Sequence, residues 1–258
     1  MIAKQTFDVN IFLNKAFANH IETMGRHMRE LTFSHDDIQT MEKRFRTRLV
    51  NSISGFKSAN LIGTRDEQGQ ENLAIVSSVV HLGSHPPLLG FIVRPCKTPR
   101  HTLQNIIETK SFTVNSVNDK IFQQAHQTSA RYSKSTSEFS KVGLTPYYDG
   151  NCPAPFVLES RLKIALTLKE HIDIKSNDTV MLVGEVNTIH VPRMAIMHDG
   201  FLDLDALGTV TISGLDSYHR TQRINRLSYA KPDKNVFPLT TDGEPSSWGA
   251  VNPMKIDT

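Results

Sequence analysis

Cysteine is nearly absent from this 258-residue chain: Cys96 and Cys152 are the two. Thiols so few and so far apart supply no disulfide framework, zinc site or CxxC redox pair; both read as packed thiols and suit a reducing compartment. An excess of one charge is lacking as well. Lysine plus arginine number 29 against 26 for aspartate plus glutamate, a formal +3, so nothing electrostatic argues for a nucleic acid or a membrane as partner. No apolar run approaches the roughly 20 residues of a membrane helix, and the first residues lack the charged-then-apolar layout of a signal peptide. The expectation is a cytoplasmic protein that acts on a small molecule. GxGxxG is missing too, which removes the main signature of a doubly wound dinucleotide fold, and no Ser/His/Asp or metal-ligating constellation is found.

What is present is a chain long enough to bury a core unaided, read as one domain with peripheral additions. Residues 1–33 carry no motif, although Ile11, Phe12, Leu13 and Phe17 suggest a short helix or draped segment. Ser34, with Asp36 and Asp37 behind it and Ile38, Met41, Phe45, Leu49 and Ile53 at helical spacing, predicts one N-capped amphipathic helix ending at Gly55. Its basic run Lys43, Arg44, Arg46 and Arg48 is a solvated face. From Lys57 the period becomes that of strands. Residues 58–64 and 72–80, joined by a polar turn through Asp66, Glu67 and Gly69, predict a hairpin. Strands are also predicted over 88–93, 111–117, 162–169, 180–190 and 210–213 and around Leu202. A helix is expected over 119–132, and the serine-rich stretch 133–140 as a mobile loop. Many strands with few crossover helices argue for a mainly β antiparallel barrel with peripheral helices. Gly63 and Gly90, in strands, mark a bend or a close backbone approach to a ligand.

The organising stretch lies in the middle of this pattern. The apolar run 88–93 hands over to a helix with Thr98 as N-cap and Pro99 at its first position, followed by Leu103, Ile106 and Ile107. A helix N-terminus offers unpaired N–H groups and a positive dipole end, and this first turn adds Arg100 and the hydroxyl of Thr102. That is a credible phosphate cradle.

Asn60, Gly63, Thr64, Asp66, Gly69, Asn72, Ala74 and Ser77, then Pro86 and Pro87, Arg100, Thr102 and Asn105, Phe112 and Asn115, follow one another in a fixed order. Ser137 to Phe139, Gly143 to Thr145, Gly184 to Val186, Asp199, Gly200 and Gly214 to Tyr218 continue it. Over roughly residues 55–220 this resembles the flavin reductase-like family of FMN-binding split β-barrel proteins, related to the flavoredoxins. The resemblance implies an antiparallel split β-barrel of Greek-key type over 55–220, an N-terminal helical extension over 1–54, and a tail over 221–258 packed on the barrel or a dimer partner. It implies a homodimer with FMN near the subunit interface, its phosphate held by Arg100 and Thr102, with Arg94 a further candidate. The ring would lie along Asn72, Ala74, Ile75, Val76, Ser77 and Ser78, residues small or polar enough in part for close approach. His101 stands where relatives commonly carry Asp. His126, ahead of the serine-rich stretch, is the candidate catalytic residue where a nicotinamide would stack, and Tyr218 the candidate contribution across the interface. The implied activity is hydride transfer from NADH or NADPH to FMN and on to free flavin or another acceptor. A flavoredoxin-like FMN electron carrier without its own turnover is the alternative. No metal is implied.

Overall fold

The computed structural model describes residues 31–95 and 101–248, so the predicted cap Thr98, Pro99, Cys96 and Arg100, and the segment around Ile11, lie outside the described residues. The chain divides into two compact units, Met1–Gly55 and Phe56–Thr258.

In the first unit the helix expected to run unbroken from Ser34 is two: α1 (His35–Thr40) and α2 (Lys43–Ser52). Ser34 caps the first as predicted. Its hydroxyl accepts from Asp37 N at 3.2 Å while the Asp37 carboxylate accepts from Ser34 N at 2.8 Å, a reciprocal capping box. The break has local causes. Met41 turns to an extended ψ of 147°, and Glu42 caps the second helix by accepting from Phe45 N at 2.9 Å. Arg46 donates to the Gln39 carbonyl at 2.7 Å, satisfying an acceptor at the end of α1.

The second unit runs β1 (Lys57–Ser58), β2 (Asn60–Arg65), β3 (Glu71–Val76), β4 (Val80–Ser84), β5 (Pro87–Val93), α3 (His101–Thr109), β6 (Ser111–Ser116), α4 (Phe122–Gln127) and α5 (Glu138–Val142). There follow β7 (Pro146–Tyr147), β8 (Phe156–Val157), β9 (Lys163–Ile174), β10 (Thr179–His190), β11 (Val210–Ser213), β12 (Ser217–Arg220), β13 (Arg226–Leu227) and β14 (Pro238–Leu239). Seven strands form one antiparallel sheet in the order β3-β2-β6-β9-β10-β5-β4, and β1, β11 and β12 form a second.

The edges of the large sheet, β3 and β4, are separated in the chain by residues 77–79 alone. Laid flat, a seven-stranded sheet would hold its edges roughly 29 Å apart, whereas the four steps from Val76 to Val80 span at most about 14 Å. The sheet therefore rolls up. Closure stops short of pairing β3 with β4, and Ser78, in the connection between them, fastens to β5: its hydroxyl accepts from Ile92 N at 3.0 Å and donates to Ile92 O at 3.3 Å. The result is the mainly β, antiparallel split barrel expected from the sequence, with peripheral helices.

Both faces of the sheet are covered. Ile62, Phe91, Ile106, Phe112, Val114, Leu166 and Leu182 form one core cluster, while Leu61, Leu73, Val117, Ile121, Ala125, Phe139, Val157, Val210 and Ile212 belong to another. Adjacent residues of β2, Leu61 and Ile62, serve opposite clusters, as a period of two requires. Two expectations fail here. The helix predicted over 119–132 shrinks to α4, and the stretch 133–140 is not all loop, because α5 begins at Glu138 and buries Glu138 and Phe139. Helical spacing of Phe139 and Val142 against this core outweighed the serine content ahead of them.

The glycines also take a different meaning. A Cβ on Gly63 would run into the Pro155 carbonyl and the Thr113 hydroxyl, and one on Gly90 into Met181 and Leu82, so both are close approaches of the chain to itself. Near the C-terminal side, Arg226 lies over the Phe201 ring, 4.1 Å from its centre, and pairs with Asp199.

Because Thr113 also donates to the Pro155 carbonyl at 2.6 Å, the obstruction at Gly63 is backbone that cannot swing aside. Gly63→Ala is expected to cost about 1–3 kcal/mol, the scale of core overpacking. A urea midpoint unchanged from the parent would contradict this packing.

Candidate functional site

The split in the barrel opens into a cleft of about 840 Å³. One wall is β3 and its continuation, Asn72 and Ala74 through Ser78; the facing wall is the end of β5, Phe91 to Arg94. His101 and Thr102 at the start of the described part of α3 stand at one end. His126 and Tyr218 line the cleft as well, as do Thr128 to Lys134, Glu138, Ile212 and Leu215. Every described candidate, Asn72, Ala74, Ile75, Val76, Ser77, Ser78, Arg94, Thr102, His126 and Tyr218, thus borders one space; Arg100 lies outside the described residues.

As an edge strand, β3 turns backbone N–H groups away from β2, and they need partners. Two side chains from the helices that follow provide them. Leu73 N donates to the Glu138 carboxylate at 2.9 Å, and Ile75 N to the Thr128 hydroxyl at 3.0 Å. Thr128 in turn donates to Ala125 O at 2.7 Å, so the residue that ends α4 also holds the cleft wall. Its early end, against the expectation of helix to 132, is what frees residues 129–134 to form a rim. Lys134 on that rim reaches Asp66 at 3.4 Å.

Glu138 is 6% exposed, and burial raises its carboxyl above the usual range despite the opposing hydrogen bond from Leu73. Neither Thr128 nor Glu138 was singled out for a role from sequence. A lone acid just before Phe139 in a serine-rich stretch was the only available sign.

His126 and Tyr218, 92 positions apart, meet across the cleft wall. His126 Nδ1 lies 3.0 Å from the Tyr218 hydroxyl, and the rings sit edge to face with centroids 5.7 Å apart. Phe122 backs the tyrosine at 5.5 Å. Burial, and secondly Asp216, push the Tyr218 pKa up to about 12, so near neutral pH it is a neutral phenol with a proton to share. Its hydroxyl is thus engaged within the same chain. Asn72 lines the cleft with its amide Nδ2 already committed, donating to Thr64 Oγ1 at 3.1 Å and to Thr102 Oγ1 at 2.9 Å.

The cleft can therefore take a flat ligand between small or apolar walls and an anionic group at the end carrying Thr102 and His101, while Arg94 belongs to the facing wall, on the side of Lys57. Among the described residues no cluster of three or more His, Cys, Asp and Glu could hold a metal ion, and no helix is long and apolar enough to cross a membrane.

Comparison with known proteins agrees with this geometry. A family profile described as Flavin reductase like domain matches residues 54–201, more than half of the chain. The crystal structure of a candidate flavin reductase with split barrel domain from Shewanella frigidimarina NCIMB 400 is similar at 52% identity and a TM-score of 0.76, over 78% of this chain and 100% of that one. Nitrilotriacetate monooxygenase component B from Bacillus cereus shares the fold at 19% identity and a TM-score of 0.69, with coverage of 78% and 100%. An uncharacterised Aquifex aeolicus VF5 protein is 28% identical over 132 residues, 50% of this chain; the match spans 66% of its length, just under two thirds.

Because burial raises the Glu138 carboxyl, the folded chain holds that proton more tightly than the unfolded one. Stability from it is full below the ordinary value of 4.5 and is lost as pH rises through the raised value. Glu138→Gln keeps an oxygen for Leu73 N and removes the buried charge. It is expected to raise the melting temperature at pH 7 by about 2–4 °C, equivalent to about 1 kcal/mol, with the gain shrinking toward pH 4. Thermal scans at both pH values check this, and a gain independent of pH would contradict it.

Proposed function

The chain belongs to the flavin reductase like domain family, and from that premise we propose that it is an FMN-dependent oxidoreductase that oxidises NADH or NADPH and passes the electrons to free flavin or another acceptor. The observation that carries the reading is the cleft at the split of the barrel, whose two walls and polar end suit a flat amphipathic ring with a phosphate. The residues present fit the group. Ala74, Ser77 and Ser78 leave room for close approach on one wall, Ile92 and Val93 supply apolar surface on the other, and Thr102 and His101 would hold the phosphate, with Arg100 beside them in the chain. When bound, FMN would supply the hydride-accepting chemistry that no amino-acid side chain offers.

The protein's own part is to bind, orient and exclude water. Edge N–H groups of β3 are already committed to Glu138 and Thr128, which keeps this wall rigid beside the ligand. Tyr218 holds the His126 ring at one orientation, at a wall where a second planar substrate would lie. Residues 129–134 form a rim that can cover it. A homodimer, with each cleft near the subunit interface, completes the proposal; exposed Val80 and Leu82 on β4, beside the split, support an apolar contact there. The cysteine usage supports a cytoplasmic setting.

Anaerobic mixing of the FMN-loaded protein with NADH or NADPH should bleach the flavin absorbance. His126→Ala and Tyr218→Phe should each slow that bleaching on the order of tenfold, one hydrogen bond's worth at about 1.4 kcal/mol, while the FMN Kd stays within about tenfold. Bleaching by dithionite but by neither nicotinamide would replace the reductase reading with that of an electron carrier.

A further inference from the structure

We infer that Thr64, which does not border the cleft, is a positioning residue for phosphate recognition, acting through Asn72 on the hydroxyl of Thr102. The inference rests on the FMN reading above and adds to it a residue buried beneath the site.

The argument is a count of hydrogens and lone pairs. Thr64, on β2, is 0% exposed and stands directly opposite Asn72 on β3 in the strand register. Asn72 Nδ2 carries two hydrogens, and both are used: one goes to Thr64 Oγ1 at 3.1 Å and the other to Thr102 Oγ1 at 2.9 Å. Thr102 Oγ1 is therefore an acceptor toward Asn72, and among the described residues nothing accepts its own hydrogen. Thr102 and Asn72 both line the cleft. A hydroxyl that borders a cleft and already accepts from the protein can turn its own O–H to an anionic oxygen bound there.

Thr64 fixes this arrangement from behind. Its Oγ1 accepts a second amide hydrogen, from Asn105 Nδ2 on α3 at 3.2 Å, so both of its lone pairs are taken. One hydroxyl thus locks two buried amides, Asn72 at 7% exposure and Asn105 at 2%, each from a different element. Asn105 Oδ1 has no partner among the described residues, so the Thr64 contact is what orients that amide. Remove the hydroxyl and Asn72 loses the acceptor that sets its rotation, and the donor that orients Thr102 is free to turn. In a buried polar network each hydrogen bond fixes the groups beside it, so losing the shared acceptor loosens both amides.

Thr64→Val keeps the shape and removes the lone pairs. It is expected to weaken FMN about tenfold while riboflavin, which lacks the phosphate, changes less than about threefold; Thr64→Ser should restore the parent ratio. A double-mutant cycle separates positioning from packing. In a Thr102→Val background, where the hydroxyl to be oriented is gone, Thr64→Val should no longer alter the FMN to riboflavin ratio. Should Thr64→Val fail to fold, Thr64→Ala tests the same loss. Equal weakening of both flavins, or additive effects in the cycle, would overturn the inference and leave the FMN reading standing. A parent protein that binds FMN no better than riboflavin would overturn both.

Discussion

Everything functional in this chain depends on how its large sheet closes. Three residues, 77–79, must connect strands at opposite edges of a seven-stranded sheet, and that reach is about half of what a flat sheet would demand. The sheet rolls until the edges approach, yet they do not pair through backbone. Ser78 takes over two positions beyond the last pair of β4 and β5: Val80 faces Gly90, and Ser78 bonds both backbone groups of Ile92 with one hydroxyl. A side chain that substitutes for a strand leaves a gap on one side of itself. The cleft occupies that gap, walled by β3 on one side and by the end of β5, the neighbour of β4, on the other.

An open edge is a liability as well as a site, since unpaired N–H groups template pairing with other chains. Here the liability is managed by side chains from α4 and α5. Glu138 is the costlier of the two devices, because a buried carboxylate gives up solvation for one backbone hydrogen bond. Thr128 performs the same duty without charge. Between them they make the wall of the cleft a fixed surface, and preorganisation of that sort is what a protein contributes when a cofactor carries the chemistry.

Local signals in the chain were enough for the strands. Runs such as 88–93 and the alternation of Ile164, Leu166 and Leu168 with polar neighbours carry their period openly, and Ser34 with Asp37 marked its cap. Where tertiary contacts overrule local ones, legibility ended. Met41 sits at helical spacing, and nothing nearby announces that Glu42 will cap a second helix. Residues 133–140 look like loop by composition, yet Phe139 is buried and takes α5 with it. The site was legible in its wall and its polar end, because small residues interrupt an aliphatic strand there. It was not legible in its pairings. His126 and Tyr218 share no periodicity across 92 positions, and the network from Thr64 to Thr102 joins three elements by contacts that only folding creates.

The central claim is that the unpaired seam of the barrel is a flavin site. A crystal structure of the protein grown with FMN tests it most directly. The account predicts the ring between the 74–78 segment and the end of β5, with the phosphate against Thr102 and the seam bond from Ser78 to Ile92 intact. Flavin bound anywhere else on the molecule, or a cleft closed by backbone pairing between β4 and β3, would contradict it.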